Sequence, residues 1–317
     1  MRILVTGALG FVGRHVVSEI EQGGHTPILS DAKPSNGVSH PVHGVDITDG
    51  DALSELVRST RPRACIHLAG IAFVPMGWTD PRLVFSVNAE GTVNLLEAFR
   101  EHAPDARVLI VSSAEIYGRP NQPRVIKEDT APAPDNPYAL SKMVADLTAL
   151  LYAKRYAMHV MTARPQNHIG PGQSTDFVIS SFARQLLDMR AGKTEPVLRT
   201  GNLESERDFT DVRDVARAYL LLIERGRRAE AYNIATGRSV RIRTILDQLC
   251  PIVGVQPTVE IDRERYRPTD RTPPIDVSKI NRDAGWEARI PLTDTLHDIV
   301  GDLTPTGAEQ KGSPKNA

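Results

Sequence analysis

The sequence has little cysteine, no net charge to speak of and no long apolar run, and each shortage removes a class of protein. Cys65 and Cys250 are the only cysteines, far apart and without a CxxC or Cys/His spacing. That argues against a disulfide framework or a zinc site, so no metal is expected and a reduced, cytoplasmic setting fits best. Lysine and arginine (38) nearly balance aspartate and glutamate (39). Without a whole-protein field to attract a polyanion, neither nucleic acid nor an acidic membrane is an expected partner, and any bound phosphate must be held by local groups. The opening Met-Arg-Ile-Leu-Val-Thr-Gly runs straight into structural sequence, with no charged leader, long apolar stretch or cleavage site, so neither secretion nor membrane insertion is expected.

What is present is an ordinary globular composition, 40% apolar and 24% charged over 317 residues, enough to bury a large core in one or two domains. Residues 3–6 form a short β-branched run, and residues 11–21 carry apolar side chains at helical spacing. Further runs at 27–30, 64–68, 108–111 and 159–163 read as buried strands. Amphipathic stretches at 51–59, 87–102 and 138–156 separate them. Strands alternating with helices predict a Rossmann-type, doubly wound parallel sheet covered on both faces.

From about Arg164 the rhythm changes. A loop-rich stretch leads to a helix at 178–191, a strand near 196–198 and a polar run at 202–208, and then a helix at 212–224 and a strand at 231–234 restore the earlier pattern. The expected division is a dinucleotide-binding domain of residues 1–165 plus 208–236. A smaller, interleaved C-terminal substrate lobe takes residues 166–207 plus 237–302. Residues 303–317, almost without apolar side chains, are expected to be a disordered tail.

Between the first strand and helix stands Gly7-Ala8-Leu9-Gly10-Phe11-Val12-Gly13. Glycine permits a tight turn and close approach of backbone to a pyrophosphate, and the helix N-terminus that follows favours negative charge. Gly7, Gly10, Phe11, Val12 and Gly13 are therefore candidate cofactor ligands. Asp31, at the end of the second strand, could accept hydrogen bonds from the adenosine ribose hydroxyls, which favours NAD(H) over NADP(H). Lys33 and Arg14 lie close enough in sequence to receive a 2′-phosphate, so both cofactors stay open. Asp46, followed by Ile47, could meet the adenine or equally cap a helix beside Thr48.

Tyr138 and Lys142 stand four apart at the start of a long amphipathic segment and share one helix face. A lysine cation beside a phenol favours the phenolate and is expected to lower the tyrosine pKa. Taken alone such a pair is commonly a surface pair. Here it follows a buried strand that ends in Ser112-Ser113, at the carboxyl edge of a parallel sheet.

These residues together resemble the extended short-chain dehydrogenase/reductases, the nucleotide-sugar epimerases, dehydratases and reductases, over about residues 1–300. The resemblance rests on TGALGFVG at 6–13, HLAG at 67–70, NAEGTVNLLEA at 88–98, SSAEIYG at 112–118, YALSK at 138–142, RPQNHIGPGQ at 164–173 and RDFTDVRDVARAY at 207–219. It implies that Ser113 hydrogen-bonds the substrate oxygen and assists Tyr138, that Lys142 orients cofactor and tyrosine, and that Leu68, Ala69 and Gly70 line the nicotinamide side. Asn88 would be a buried structural amide.

The second lobe looks most like the GDP-6-deoxy-4-keto-mannose reductases and their relatives, the GDP-mannose 4,6-dehydratases. By that resemblance Asn167, Arg207 and Arg267 would contact the diphosphate or sugar of a GDP-linked substrate, and Asp270 the guanosine ribose. Glu115 stands where the dehydratases place an acid/base, and carboxylates occur there in the reductases too. Residues 32–43 are short and lack the Arg-Arg-x-Ser-Ser type of loop of the dehydratases. Gln166 replaces the usual Phe, and Gly77 a frequent Ser. The implied activity is NAD(P)H-dependent reduction of the C4 ketone of a GDP-4-keto-6-deoxyhexose to a GDP-6-deoxyhexose of the GDP-rhamnose type. Alternatives are a GDP-sugar 4,6-dehydratase or nucleotide-sugar epimerase that retains NAD(P)+, and a non-catalytic NAD-binding regulator. The resemblance also implies a homodimer through helices at 88–102 and 138–156.

Overall fold

The computed structural model describes residues 1–33, 40–118, 125–262 and 273–304. Seven parallel strands form one sheet. In chain order they include β1 (Arg2–Thr6), β2 (Thr26–Asp31), β3 (Val42–Gly44), β4 (Ala64–His67), β5 (Arg107–Val111) and β6 (His159–Pro165), with Ala231–Ile234 completing the set. From edge to edge the order is Ala231–Ile234, β6, β5, β4, β1, β2, β3. The order reverses between β1 and β4, where Thr6 stands opposite His67, and in such sheets the crevice at the carboxyl ends of those strands is where ligands bind.

Alternation along each strand explains why both faces are covered. Ile3, Val5, Ile66 and Leu109 point to one side, into a core with Val16 and Ile20 of helix Phe11–Gln22 and Val215 and Tyr219 of helix Val212–Arg225. Their neighbours Leu4, Cys65, Val108 and Ile110 point to the other, against Leu53 of helix Gly50–Thr60, Leu95 and Phe99 of helix Gly91–His102, and Ala149 of helix Pro137–Arg155. The amphipathic stretch at 87–102 is not one regular helix: a π-helical turn, Ser86–Glu90, precedes its regular part and carries Asn88. Such turns mark functional sites more often than chance.

The chain divides into two compact units. The first comprises Met1–His168, Asp208–Arg238 and Thr272–Arg289; the second, Ile169–Arg207, Ser239–Arg271 and Ile290–Ala317. Thr272–Arg289 thus returns to the sheet-bearing unit rather than staying with the smaller one. Trp286, fully buried, packs with Val215 and Tyr219, and its indole N–H donates to Asp214 O at 2.8 Å. The second unit has helices Val178–Arg190, Ile242–Val253 and Leu292–Leu303 and a parallel strand pair, Val197–Thr200 with Thr258–Ile261. The expected tail lies, from residue 305, outside the described residues.

Candidate active site

The glycine turn is as tight as its spacing predicts. Gly7 has φ +69°, and a Cβ there would lie 2.8 Å from Ala69 N. A Cβ on Gly13 would come within 2.4 Å of Gly7 O and 2.5 Å of Ala8 O, so the helix can seat on the turn only without one. The helix begins at Phe11 and Val12 with Gly10 as N-cap, no side-chain cap and no acid in its first turn. No acidic side chain of the helix itself offsets the positive end of its dipole, which suits an anion. Phe11 stacks on His168, ring centroids 6.1 Å apart.

Asp31 ends β2 beside this turn, and its carboxylate accepts the Leu9 N–H at 3.1 Å and the Lys33 N–H at 3.4 Å. Arg14 is close by, its Nε donating to Leu9 O at 3.2 Å. Asp31, the Lys33 backbone and the Arg14 side chain thus meet around Leu9. Asp46 accepts from both the N–H and the hydroxyl of Thr48, and the cap of helix Gly50–Thr60 is Asp49 instead. Ile47 is buried against Gly91, and Asn94 Nδ2 donates to the carbonyls of Ile47 and Thr48.

Ser113, Glu115, Tyr138 and Lys142 gather above the carboxyl end of β5. Asn136 caps helix Pro137–Arg155 by accepting the Ala139 N–H at 2.8 Å, which fixes Tyr138 and Lys142 in its first turns. Tyr138 is nearly buried and shares a hydrogen bond with Ser113, whose hydroxyl also accepts the Glu115 N–H at 3.1 Å. A Cβ on Gly77 would lie 3.0 Å from Tyr138 N, so the small residue leaves room for the helix start. Lys142 Nζ donates to Val111 O at 2.9 Å, and a Cβ on Gly70 would meet it at 3.2 Å.

The electrostatics depart from expectation. Burial pushes the Tyr138 phenol up to about 12; the Ser113 hydrogen bond works against that and the Glu115 carboxylate reinforces it. Lys142 is itself pulled down to about 8 by burial. In the chain without ligand, desolvation therefore outweighs the lysine field that was expected to favour a phenolate. Below about pH 8 Lys142 is a buried cation, a cost to folding. The unfolded chain holds that proton up to about pH 10.5, so the Lys142 contribution to stability rises with pH between about 8 and 10.5. Lys142→Met is expected to abolish this rise, which amounts to about 3 kcal/mol. Urea midpoints at pH 7.5 and 10 for both proteins check it, and equal slopes would refute it.

Asn167 lies in the short strand Asn167–Ile169, half-buried, its Nδ2 donating to Gln166 Oε1 at 3.3 Å and Asp208 O at 3.5 Å. Gln166 thus occupies the amide expected to meet substrate. Arg207 belongs to the second unit, and its guanidinium donates to Glu206 O at 2.9 Å. Arg267 and Asp270 lie outside the described residues. Among the described residues no three His, Cys, Asp or Glu side chains gather as a metal site, and no helix is long and apolar enough to cross a membrane.

Residue-by-residue reasoning left one buried group unread: Thr6, His67 and Thr92. His67 ends β4 with both ring nitrogens within reach of a hydroxyl, Thr6 Oγ1 at 2.7 Å and Thr92 Oγ1 at 3.3 Å. A histidine closing an otherwise apolar strand was the available signal.

A parallel sheet with a glycine turn at its switch point and a buried Ser-Tyr-Lys set at its carboxyl edge defines the class: an extended short-chain dehydrogenase/reductase. More narrowly, the chain belongs to the GDP-mannose 4,6 dehydratase family, whose model matches residues 4–299. It is 35% identical over 303 residues to a GDP-6-deoxy-D-mannose reductase of Pseudomonas aeruginosa, covering 95% of this chain and 96% of that one. Among solved structures, RMD from Pseudomonas aeruginosa complexed with NADPH superposes with a TM-score of 0.84 at 32% identity, covering 95% of this chain and 98% of that one. UDP-glucose 4-epimerase of Thermus thermophilus in complex with NAD gives 0.84 at 27% identity, covering 96% and 99%.

Proposed function

We propose that this protein reduces the C4 ketone of a GDP-linked 4-keto-6-deoxyhexose, giving a GDP-6-deoxyhexose of the GDP-rhamnose type. What supports the reading is the Tyr138 phenol, buried beside Ser113 with Lys142 one turn further along the same helix, where burial favours its protonated form. A reductase needs a proton donor at the moment the ketone becomes an alkoxide, and a phenol pushed up to about 12 keeps its proton throughout the neutral range. NADH or NADPH, when bound, supplies the hydride that reaches C4. Tyr138 then gives its proton to O4, Ser113 donates a hydrogen bond to the same oxygen, and the Lys142 charge offsets the phenolate left behind.

Gly7, Gly10, Phe11, Val12 and Gly13 would hold the pyrophosphate, and Asp31 the adenosine ribose. Asp46 and Ile47 would flank the adenine, with Leu68, Ala69 and Gly70 on the nicotinamide side. The turn fits such a group, since its glycines let the helix seat closely on the strand and the helix that follows has no side-chain cap and no acid in its first turn. Asn167, Arg207, Arg267 and Asp270 belong to this reading as contacts to the GDP-sugar. So does a homodimer, supported by Leu147 and Leu151, exposed one turn apart on helix Pro137–Arg155. A cytoplasmic location accords with the free, buried thiols of Cys65 and Cys250.

Glu115 supports a second reading. Its carboxylate is near enough to raise the Tyr138 phenol, which accords with the proton removal that a 4,6-dehydratase requires. One assay separates the two: absorbance at 340 nm with NADH or NADPH and GDP-4-keto-6-deoxymannose supplied by a separate dehydratase. Oxidation in a one-to-one ratio with product is the expected result and identifies the preferred cofactor. No oxidation, with conversion of GDP-mannose by this protein alone, would move the assignment to dehydratase.

A further inference from the structure

Hydrogen bonding around His67 has a direction that the distances determine. The Thr92 hydroxyl gives its only proton to Asn88 O at 2.7 Å, so towards His67 it can only accept. His67 Nε2 must therefore carry a proton. Nδ1 is then the acceptor in the neutral ring and takes the Thr6 hydroxyl proton at 2.7 Å, while Thr6 Oγ1 accepts the Ala69 N–H at 3.3 Å. Burial, with the Lys142 charge adding to it, pulls the His67 imidazolium down to about 3, in keeping with a neutral ring.

The chain of bonds closes on itself. It starts at Ala69 N and reaches Asn88 O, and the Asn88 side chain accepts the Ile71 N–H at 2.8 Å and donates to Ile71 O at 3.1 Å. Asn88 Nδ2 also donates to Ser141 Oγ at 3.0 Å, whose hydroxyl donates to Tyr138 O at 2.7 Å. Residues 69–71 are thus clamped at both ends. They lie between the glycine turn, where Ala69 crowds Gly7, and the Lys142 ammonium, which crowds Gly70. Thr6, His67, Asn88, Thr92 and Ser141 are all buried, so no water competes for these bonds.

We propose that His67 is a positioning residue: neutral and protonated on Nε2, it ties Thr6 to Thr92 and so holds residues 69–71 at the spacing that Lys142 and the reactive end of the dinucleotide share. The inference deepens the proposed reductase and rests on that reading for its turnover measurement. A histidine that merely filled the core would need only volume, whereas this role needs one acceptor and one donor.

The test uses His67→Phe, which keeps volume and loses both, and His67→Gln, which keeps an acceptor oxygen and a donor nitrogen. His67→Phe is expected to lower kcat by about 10- to 100-fold with the sugar KM within about twofold, as for a misplacement near 1 Å. His67→Gln should recover most of that loss. Should His67→Phe not fold, Thr6→Val against Thr6→Ser asks the same question with the hydroxyl alone. Equal kcat in all variants, or a Gln variant as impaired as Phe, would overturn the proposal. Binding keeps the two readings apart. His67→Phe should weaken NAD(P)H about tenfold and leave ADP-ribose, or its 2′-phosphate, unchanged. That contrast holds even if wild type reduces no keto sugar, and its absence in such a protein would refute the role of His67.

Discussion

Tyr138→Phe is expected to lower turnover by about 10²- to 10⁴-fold while NAD(P)H binding stays within about twofold, because only the transferred proton is removed. The ring stays. Tyr138 is 7% exposed, and phenylalanine fills the same space in helix Pro137–Arg155, whose Asn136 cap does not involve the hydroxyl. Ser113 keeps the Glu115 N–H as a donor to its oxygen and loses only the phenol oxygen as a partner for its hydroxyl proton. The stability cost should be no more than that of one hydrogen bond, about 1 kcal/mol. Single-turnover reduction, with cofactor fluorescence titration alongside, checks both halves. Turnover within tenfold of wild type would remove Tyr138 from the proton-donating role and point to Glu115 or water instead.

What was legible in the sequence follows the range of the forces involved. The strand, glycine turn and helix at 2–22 are local: alternation, a positive φ at Gly7 and a helical apolar stripe each involve a few neighbours. The same holds for the Tyr138–Lys142 spacing. Desolvation is not local, and so the direction of the Tyr138 shift was misread: four-residue spacing shows that two groups are near, not how much water either loses. Nor is the return of Thr272–Arg289, which depends on Trp286 finding Val215 and Asp214 some seventy positions earlier. β3, with three residues, is too short to show a period. Thr6 and His67, sixty-one positions apart, meet only because β1 and β4 pair in register.

Arg164→Met is expected to destabilise the fold by about 3–5 kcal/mol, the loss that follows when one half of a buried ion pair is deleted. Arg164, next to last in β6, reaches Asp146, one turn beyond Lys142 on helix Pro137–Arg155. The contact is two-pronged, Nε to Oδ2 at 3.0 Å and Nη2 to Oδ1 at 2.7 Å, with both side chains almost wholly buried. Burial works against the guanidinium charge, and the Asp146 carboxylate more than offsets it, so Arg164 is held above its usual range. The remaining nitrogen donates to Tyr117 O–H and Glu128 O, and Tyr117 donates to Asn233 in the edge strand Ala231–Ile234. One guanidinium therefore ties helix Pro137–Arg155 to two strands.

In Arg164→Met the Asp146 carboxylate is left without a counter-charge inside the protein, and its protonation should restore part of the loss at low pH. Arg164→Met with Asp146→Leu removes both charges and should recover most of the stability, because a matched apolar pair is often as stable as the buried ion pair it replaces. Urea midpoints for the single and double variants give the comparison. If the double variant is no more stable than the single, the cost lies in the Tyr117 and Glu128 bonds rather than in the stranded carboxylate. If the single variant loses less than about 1 kcal/mol, the pair contributes no more than a surface salt bridge.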